Sequence, residues 1–487
     1  MAAASEAPAR ADLIFRGGAV IDGTGRARFR ADIAVADGRI LALGDLGRTV
    51  ARQEIDASGR VLAPGFIDVH THDDGLLLVD RDMTAKVSQG VTTVVIGNCG
   101  FSLAPLTPST PLPQEFRLLG EDALYRFPTM AGYFAALDAA PAATHVAALV
   151  GHSSLRLGTM ADLERPATAE ETQRMRSLLA ESLEAGAIGF STGLEYPPNR
   201  AATTDEIVAV AEPLSAQGGL YVTHTRDYVD DIDGAMEEAF EIGRRVRAPV
   251  VLSHHQGDGP KNYGHAARTL ARFDRARERQ PVGLDVYPYI AGSTSILPEF
   301  IDCAERVVIA WSEPVPQAAG RDLAEIAREW GVGLHEAAGR LAPGGAIYFT
   351  LDEGDVQRIL AHPQAMIGSD GLPFGKKPHP RLWGTFPRVL GHYARELGLF
   401  TLEEAVRKMT NLSAERFGLE GRGRLAPGLA ADIVMFDPLG VIDRASFDMP
   451  TEPAAGIDLV LVAGEPVWRA GRPTGARLGR VLRHGRS

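Results

Sequence analysis

Cysteine is nearly absent from this chain: of 487 residues, only Cys99 and Cys303 carry a thiol. Two cysteines cannot build a disulfide framework, and so low a count fits a reducing compartment. Long apolar runs are missing as well. None approaches the ~18 residues of a membrane-crossing helix, and Met1 to Asp12 holds no apolar core of a secretory leader. A cytoplasmic location is therefore expected. Positive charge is in deficit: a net charge of -12 and a pI near 5.6 argue against a nucleic-acid partner, which would need clustered Lys and Arg. The one basic run, Arg477 to Arg486, reads as a solvated end.

What is present is an ordinary globular composition, 45% hydrophobic and 23% charged, in a chain long enough for a large α/β barrel plus an accessory domain. From Asp12 to Asp56, short strand-like runs are punctuated by Asp22-Gly23-Thr24-Gly25 and Asp37-Gly38, which are hairpin signals of a small antiparallel sheet. The same texture returns at Ala431 to Phe436 and Asp458 to Val462. The two ends are expected to pack together as one β-sandwich, made of residues 1–62 and 421–487.

Between them lie eight apolar runs: Val61 to His72, Thr92 to Gly100, His145 to Arg156, Ala187 to Tyr196, Gly219 to Asp227, Pro249 to Gln256, Val282 to Tyr289 and Ala365 to Gly371. Amphipathic segments separate most of them, with capping-box starts at Thr168 to Glu171 and Thr401 to Glu404. Parallel strands joined by right-handed helical crossovers close naturally as a (β/α)8 barrel, here over 63–420; a doubly wound open sheet is the alternative. The stretch 290–364 is too long for a simple loop and reads as a lid or substrate-contact insertion.

In a barrel, the C-terminal ends of the strands converge on one site. Those ends carry His70 and His72, Cys99, Glu195, His224, His254 or His255, and Asp370. A His-x-His pair alone is as well explained by surface or capping histidines, Cys99 alone by a small buried hydrophobe, and Asp370 alone by a turn. Together they are a set of metal ligands. Imidazole and thiolate favour zinc over magnesium or calcium, and the number of donors leaves room for two ions, or for one ion and a catalytic carboxylate. A zinc site of this kind points to hydrolysis of amide-like bonds. A non-catalytic barrel used as a scaffold would be expected to have lost some of these ligands.

The chain also resembles the amidohydrolase superfamily and, within it, the N-acyl-D-amino-acid deacylases. The resemblance runs nearly end to end. It rests on Gly65-Phe66-Ile67-Asp68 with His70-Thr71-His72, Gly97-Asn98-Cys99-Gly100, Gly151-His152-Ser153, Ser253-His254-His255 and Asp285-Val286-Tyr287-Pro288-Tyr289. It continues through Ile367-Gly368-Ser369-Asp370-Gly371, His379-Pro380-Arg381, Gly384 to Gly391 and Lys408-Met409-Thr410.

The resemblance implies a tightly held zinc on Cys99, His224 and His254, and a second, weaker position on His70, His72 and Asp370 that shares Cys99. It also implies that a metal-activated water attacks the amide carbonyl of an N-acyl-D-amino acid, with Asp370 taking the proton and passing it to the leaving amine. Arg381, Tyr287 and Ser293 match positions that hold the substrate carboxylate, and Gln256 and His152 are counted with the substrate contacts. Two features depart from the family pattern. Ser253-His254-His255-Gln256 stands where these enzymes often have Ser-His-His-Lys, which opens the alternative of a cyclic amide, a dipeptide or an uncharged acyl-amide. Glu195 sits where a bridging acid can occur, although Cys99 is the preferred bridge.

Overall fold

The computed structural model describes residues 11–108 and 111–485. Most of the leader reading, Met1 to Arg10, lies outside the described residues. Eight parallel strands form the central sheet: β1 Phe66–Asp68, β2 Val91–Ile96, β3 His145–Gly151, β4 Gly189–Gly193, β5 Leu220–His224, β6 Val250–Leu252, β7 Val282–Val286 and β8 Ala365–Ile367. They follow one another in chain order round the sheet, and β8 returns to the neighbourhood of β1 through a parallel bridge between Thr71 and Gly371. The result is the expected barrel.

Period-2 alternation explains the packing. Ile67, Val69, Val95, Ala147, Leu149, Val222, Val251 and Met366 fill the interior, while Phe66, Val94, Ile96, Val146, Ala148 and Val150 face the outer helices. Thr168 forms the expected capping box with Glu171, whereas Thr401 accepts from the Glu404 amide while the Glu404 carboxylate turns to Arg407.

The run Val61 to His72 divides at Gly65. Val61–Pro64 pairs with Ala11–Val20 and Ile433–Phe436 in the terminal sheet, and only Phe66–Asp68 belongs to the barrel. A Cβ at Gly65 would lie 2.2 Å from Thr92 Oγ1, so the close crossing between the two sheets requires glycine. Both chain ends contribute to one nine-stranded sheet with a shared apolar core that includes Phe15, Ile33, Leu62, Ile433 and Leu461. Asp37 and Gly38 both have positive φ in the hairpin turn. The N-terminal half is mixed where antiparallel pairing was expected, since Ala51–Asp56 and Val61–Pro64 both run parallel to Ala11–Val20.

The insertion carries a three-stranded antiparallel sheet, Ala291–Ser295, Arg306–Ser312 and Gly344–Phe349, with its own helices. The helix Glu353–Ala361 has a different role: Val356, Ile359 and Leu360 join the outer barrel core, so it is the barrel's own helix before β8.

The basic tail is packed onto the barrel, which corrects the reading of a solvated end. Val481 bridges to Val146, Leu482 N–H donates to Val146 O at 2.7 Å, and His484 N–H donates to Gly186 O at 3.0 Å. Leu482 touches the interior cluster, and Arg483 pairs with Asp138 at 2.5 Å and stacks on Phe134. The arginines stay outside while the intervening Val and Leu turn inward, a pattern that a count of charge alone hides. The tail crosses the end of the barrel where β3 and β4 begin, opposite the expected site. No helix among the described residues is long and apolar enough to cross a membrane.

Candidate metal centre and active site

At the C-terminal ends of the barrel strands, two groups of buried donors share Cys99. His70, His72, Cys99 and Asp370 form one, and Cys99, His224 and His254 the other, with the donor atoms in each within 4.8 Å of one another. Cys99 Sγ lies 3.2 Å from His70 Nε2 and 3.6 Å from His254 Nε2, and His224 Nδ1 lies 3.0 Å from His254 Nε2. His72 Nε2 is 3.1 Å from Asp370 Oδ1. The strand β1 ends at Asp68, so the His-x-His pair sits just beyond the ladder and not on it; the rings still converge, with centroids 5.6 Å apart.

Three of these residues have left-handed backbones: Cys99 at φ 52°, His254 at φ 31° and Asp370 at φ 48°. Such conformations cost about 1–3 kcal/mol each at non-glycine residues and persist where the surroundings impose them. Here the chain must turn sharply off a strand end to aim a donor inward. Gly100 and Gly371 follow two of them and lie tight against neighbours.

Burial and mutual charge set the protonation of the cluster. Burial opposes ionisation of Cys99, but His70 and hydrogen bonds from His224 and His254 hold the thiol well below its ordinary range. Burial likewise works against a charged His70, and Cys99, Asp285 and Asp370 outweigh it. Asp370, also buried, is held well below the usual carboxylate range by Arg381 and His70. A buried thiolate and carboxylate among imidazoles is a site suited to a cation.

A second layer orients these donors. Asp285, one residue before the end of β7, lies 3.3 Å from His70 Nδ1 and accepts the His254 amide at 2.9 Å. Glu195 Oε2 lies 2.8 Å from His224 Nε2, the nitrogen facing away from His254. It therefore fixes the ring of His224, and Cys99 is the residue common to both groups. Beneath them, Lys86 reaches Asp68 and Ser369 at 2.9 Å each and Asp73 at 3.2 Å, all fully buried, and Asp68 Oδ1 accepts the Ser369 amide at 2.8 Å. His255 faces the other way, with Nε2 2.9 Å from Thr269 Oγ1, and burial first, then its histidine neighbours, lower it to about 3.

The donors open into a cleft lined in part by Arg381, Tyr287, Ser293, Gln256, Glu195 and Asp258. Arg381, 1% exposed, has Nη1 2.8 Å from Asp370 Oδ2, donates Nη2 to Ser293 O at 3.0 Å and lies over the Tyr287 ring at 4.6 Å. Its Nη1 is held by that ion pair, and its Nε, also buried, makes no hydrogen bond. The Ser293 hydroxyl is tied to Ala346 O, so this residue meets Arg381 through its carbonyl. Tyr287 donates to Gln256 Oε1 at 2.6 Å, and Gln256 Nε2 donates to both oxygens of Asp258.

His152 is not part of this cleft. It is fully buried against Phe190, 3.4 Å from Glu206, which also pairs with Arg156. A histidine at the end of β3 looks like a site residue in sequence, but the helix that starts at once, His152–Thr159, turns its ring outward.

Lys86, Asp68, Asp258 and the orienting role of Asp285 were missed by sequence reasoning. Asp68 and Asp285 stand in the motifs that carry the resemblance, and a carboxylate inside an apolar strand was the available signal. Lys86, on the short helix Thr84–Val87, gave none.

A family model described as Amidohydrolase family matches residues 53–307 and 274–468. The D-aminoacylase of Alcaligenes xylosoxydans xylosoxydans is 55% identical over 97% of each chain. A crystal structure of D-aminoacylase is 53% identical with a TM-score of 0.95, covering 97% of this chain and 100% of that one. The N-acyl-D-glutamate deacylase of Bordetella bronchiseptica, solved with zinc and a phosphonate that mimics the tetrahedral intermediate, is 48% identical with a TM-score of 0.94 over 97% and 100%. This chain belongs to the amidohydrolase family, in the group formed by D-aminoacylase and the N-acyl-D-amino-acid deacylases.

Proposed function

We propose that this protein hydrolyses the amide bond of N-acyl-D-amino acids, releasing a carboxylate and a free D-amino acid. The observation that carries the reading is the pair of donor groups sharing one buried thiolate, with a buried arginine paired to the acid that closes one of them. The donor chemistry fits zinc. Cys99, His224 and His254 would hold one ion tightly, and His70, His72 and Asp370, sharing Cys99, a weaker second. Bound zinc supplies a Lewis acid that polarises the carbonyl and brings a water to a pKa of about 7.

The chain's own residues do the rest. Asp370 is the general base toward the attacking water and then the general acid toward the leaving nitrogen. Arg381 offers its charge and its unpartnered Nε–H to the α-carboxylate, and the Tyr287 ring beneath holds the guanidinium flat. Glu195 and Asp285 keep the His224 and His70 rings in orientation. Residues 1–62 and 421–487 serve as the accessory sheet domain and 63–420 as the catalytic barrel; within 290–364 the three-stranded sheet and its helices wall the substrate, while the helix Glu353–Ala361 belongs to the barrel. The partner is a small molecule and not a nucleic acid, and the low cysteine content supports a cytoplasmic location.

Gln256 favours a second reading, an amidohydrolase acting on a cyclic amide, a dipeptide or an uncharged acyl-amide. A panel of N-acetyl-D- and N-acetyl-L-amino acids beside cyclic and uncharged amides separates the two. Turnover of the D-series alone supports the first, and turnover confined to amides without a carboxylate supports the second.

A further inference from the structure

The cleft is poor in positive charge. Arg381 is the only Arg or Lys in its lining among the described residues, and its Nη1 already faces Asp370 at 2.8 Å. With its two amino groups on Asp370 and Ser293 O and only Nε unpartnered, it can serve one carboxylate at most. The other charged wall is acidic. Asp258 is 2% exposed and bound by neutral groups, Gln256 Nε2 at 3.1 Å and Thr350 Oγ1 at 2.7 Å; Glu195 Oε2 lies 2.8 Å from His224 Nε2 and pairs with no Arg or Lys side chain among the described residues.

Gln256, the side chain beside Asp258, has no group left for a second anion. Gln256 spends its carbonyl on Tyr287 and its amide on Asp258. Tyr196, Phe300 and Tyr348 add aromatic surface, and both tyrosine hydroxyls are engaged, with Thr294 Oγ1 at 3.1 Å and with Ser295 O at 2.9 Å. An acidic side chain in this space would meet a buried carboxylate with no cation between them, and like charges so placed are strongly disfavoured.

We propose that the cleft selects N-acyl-D-amino acids whose only charge is the α-carboxylate, with apolar or aromatic side chains, and that Asp258, carried by Gln256, is the specificity-determining residue that turns acidic side chains away. This rests on the deacylase reading and narrows its substrate class. It separates the chain from the 48%-identical relative named for D-glutamate.

The test is kcat/KM of the zinc-loaded full-length protein on N-acetyl-D-leucine, N-acetyl-D-phenylalanine, N-acetyl-D-aspartate and N-acetyl-D-glutamate. The neutral pair should lead the acidic pair by on the order of 10²-fold or more. Acidic substrates turned over within tenfold of the neutral ones overturn the inference and leave the deacylase reading standing; no turnover of any of the four overturns both. Asp258→Asn, which keeps shape, should narrow the ratio about tenfold, as should Gln256→Lys, which puts a cation in place of the neutral amide beside Asp258. A ratio unmoved in both, with zinc content and melting temperature as in the parent, removes Asp258 from the role.

Discussion

Arg381 Nη1 stands 2.8 Å from Asp370 Oδ2 while the opposite edge of Asp370, Oδ1, faces His72 at 3.1 Å. One carboxylate thus joins the donor cluster to the group that would hold the substrate. The base is aligned by the arginine that positions the substrate, so recognition and chemistry are coupled through a single contact.

Arg381→Lys should therefore be costly despite keeping the charge. A lysine offers a point charge in place of a planar fork and cannot reach Asp370, Ser293 O and a carboxylate together. We expect kcat/KM on N-acetyl-D-amino acids to fall on the order of 10²-fold, with zinc content unchanged by metal analysis. Activity within threefold of the parent would show that the carboxylate is held elsewhere.

His254 and His255 provide a contrast between adjacent residues. His254→Ala should lose both zinc and activity, because His254 lies within reach of Cys99 and His224. His255→Ala should keep zinc and much of the activity while lowering stability by about 1–3 kcal/mol, since it removes a buried bond to Thr269. Metal content and denaturant midpoints of the two variants check this.

Stability should carry an acid-sensitive component from Glu206. Burial works against its ionisation, but bonds from His152 and the Ala167 amide, with the Arg156 charge, bring it down to about 2 from 4.5. A lowered folded-state pKa contributes stability that is complete above 4.5 and is lost as pH falls from there toward 2. Glu206→Gln should melt lower at neutral pH, because it leaves the fully buried Arg156 unpaired, and its melting temperature should fall less steeply between pH 5 and 3. Parallel melting curves would contradict this.

Much of the fold was legible because strand ends in a barrel carry a simple code. An apolar run terminating in His, Cys or Asp announces both the strand and the direction of the site, as at Cys99, His224 and Asp370. What the code leaves out is three-dimensional. It could not show that Val61–Pro64 leaves the barrel at Gly65, because both halves of that run are equally apolar. Nor could it separate His152 from His254, since the direction of a ring one residue past a strand depends on whether a helix begins there. Lys86 was invisible for a related reason: a lysine on a polar helical turn reads as solvated until its buried carboxylate partners are placed.

The tail offers a test of packing at the far end of the barrel. Deleting residues 479–487 removes the bonds to Val146 and Gly186 and uncovers the apolar barrel surface on which Val481 and Leu482 pack. Each side chain accounts for about 1.5–3 kcal/mol when fully buried. The truncated protein should melt several degrees lower and still bind zinc, as read by calorimetry and metal analysis. An unchanged melting temperature would return the tail to solvent.

The measurement that bears most directly on the whole account is zinc stoichiometry taken together with hydrolysis of matched N-acetyl-D- and N-acetyl-L-amino acids. The account predicts at least one zinc per chain, turnover of the D-series only, and loss of that turnover with retained zinc in Asp370→Asn. A zinc-replete protein that turns over no N-acyl-D-amino acid, or an Asp370→Asn variant as active as the parent, would contradict it.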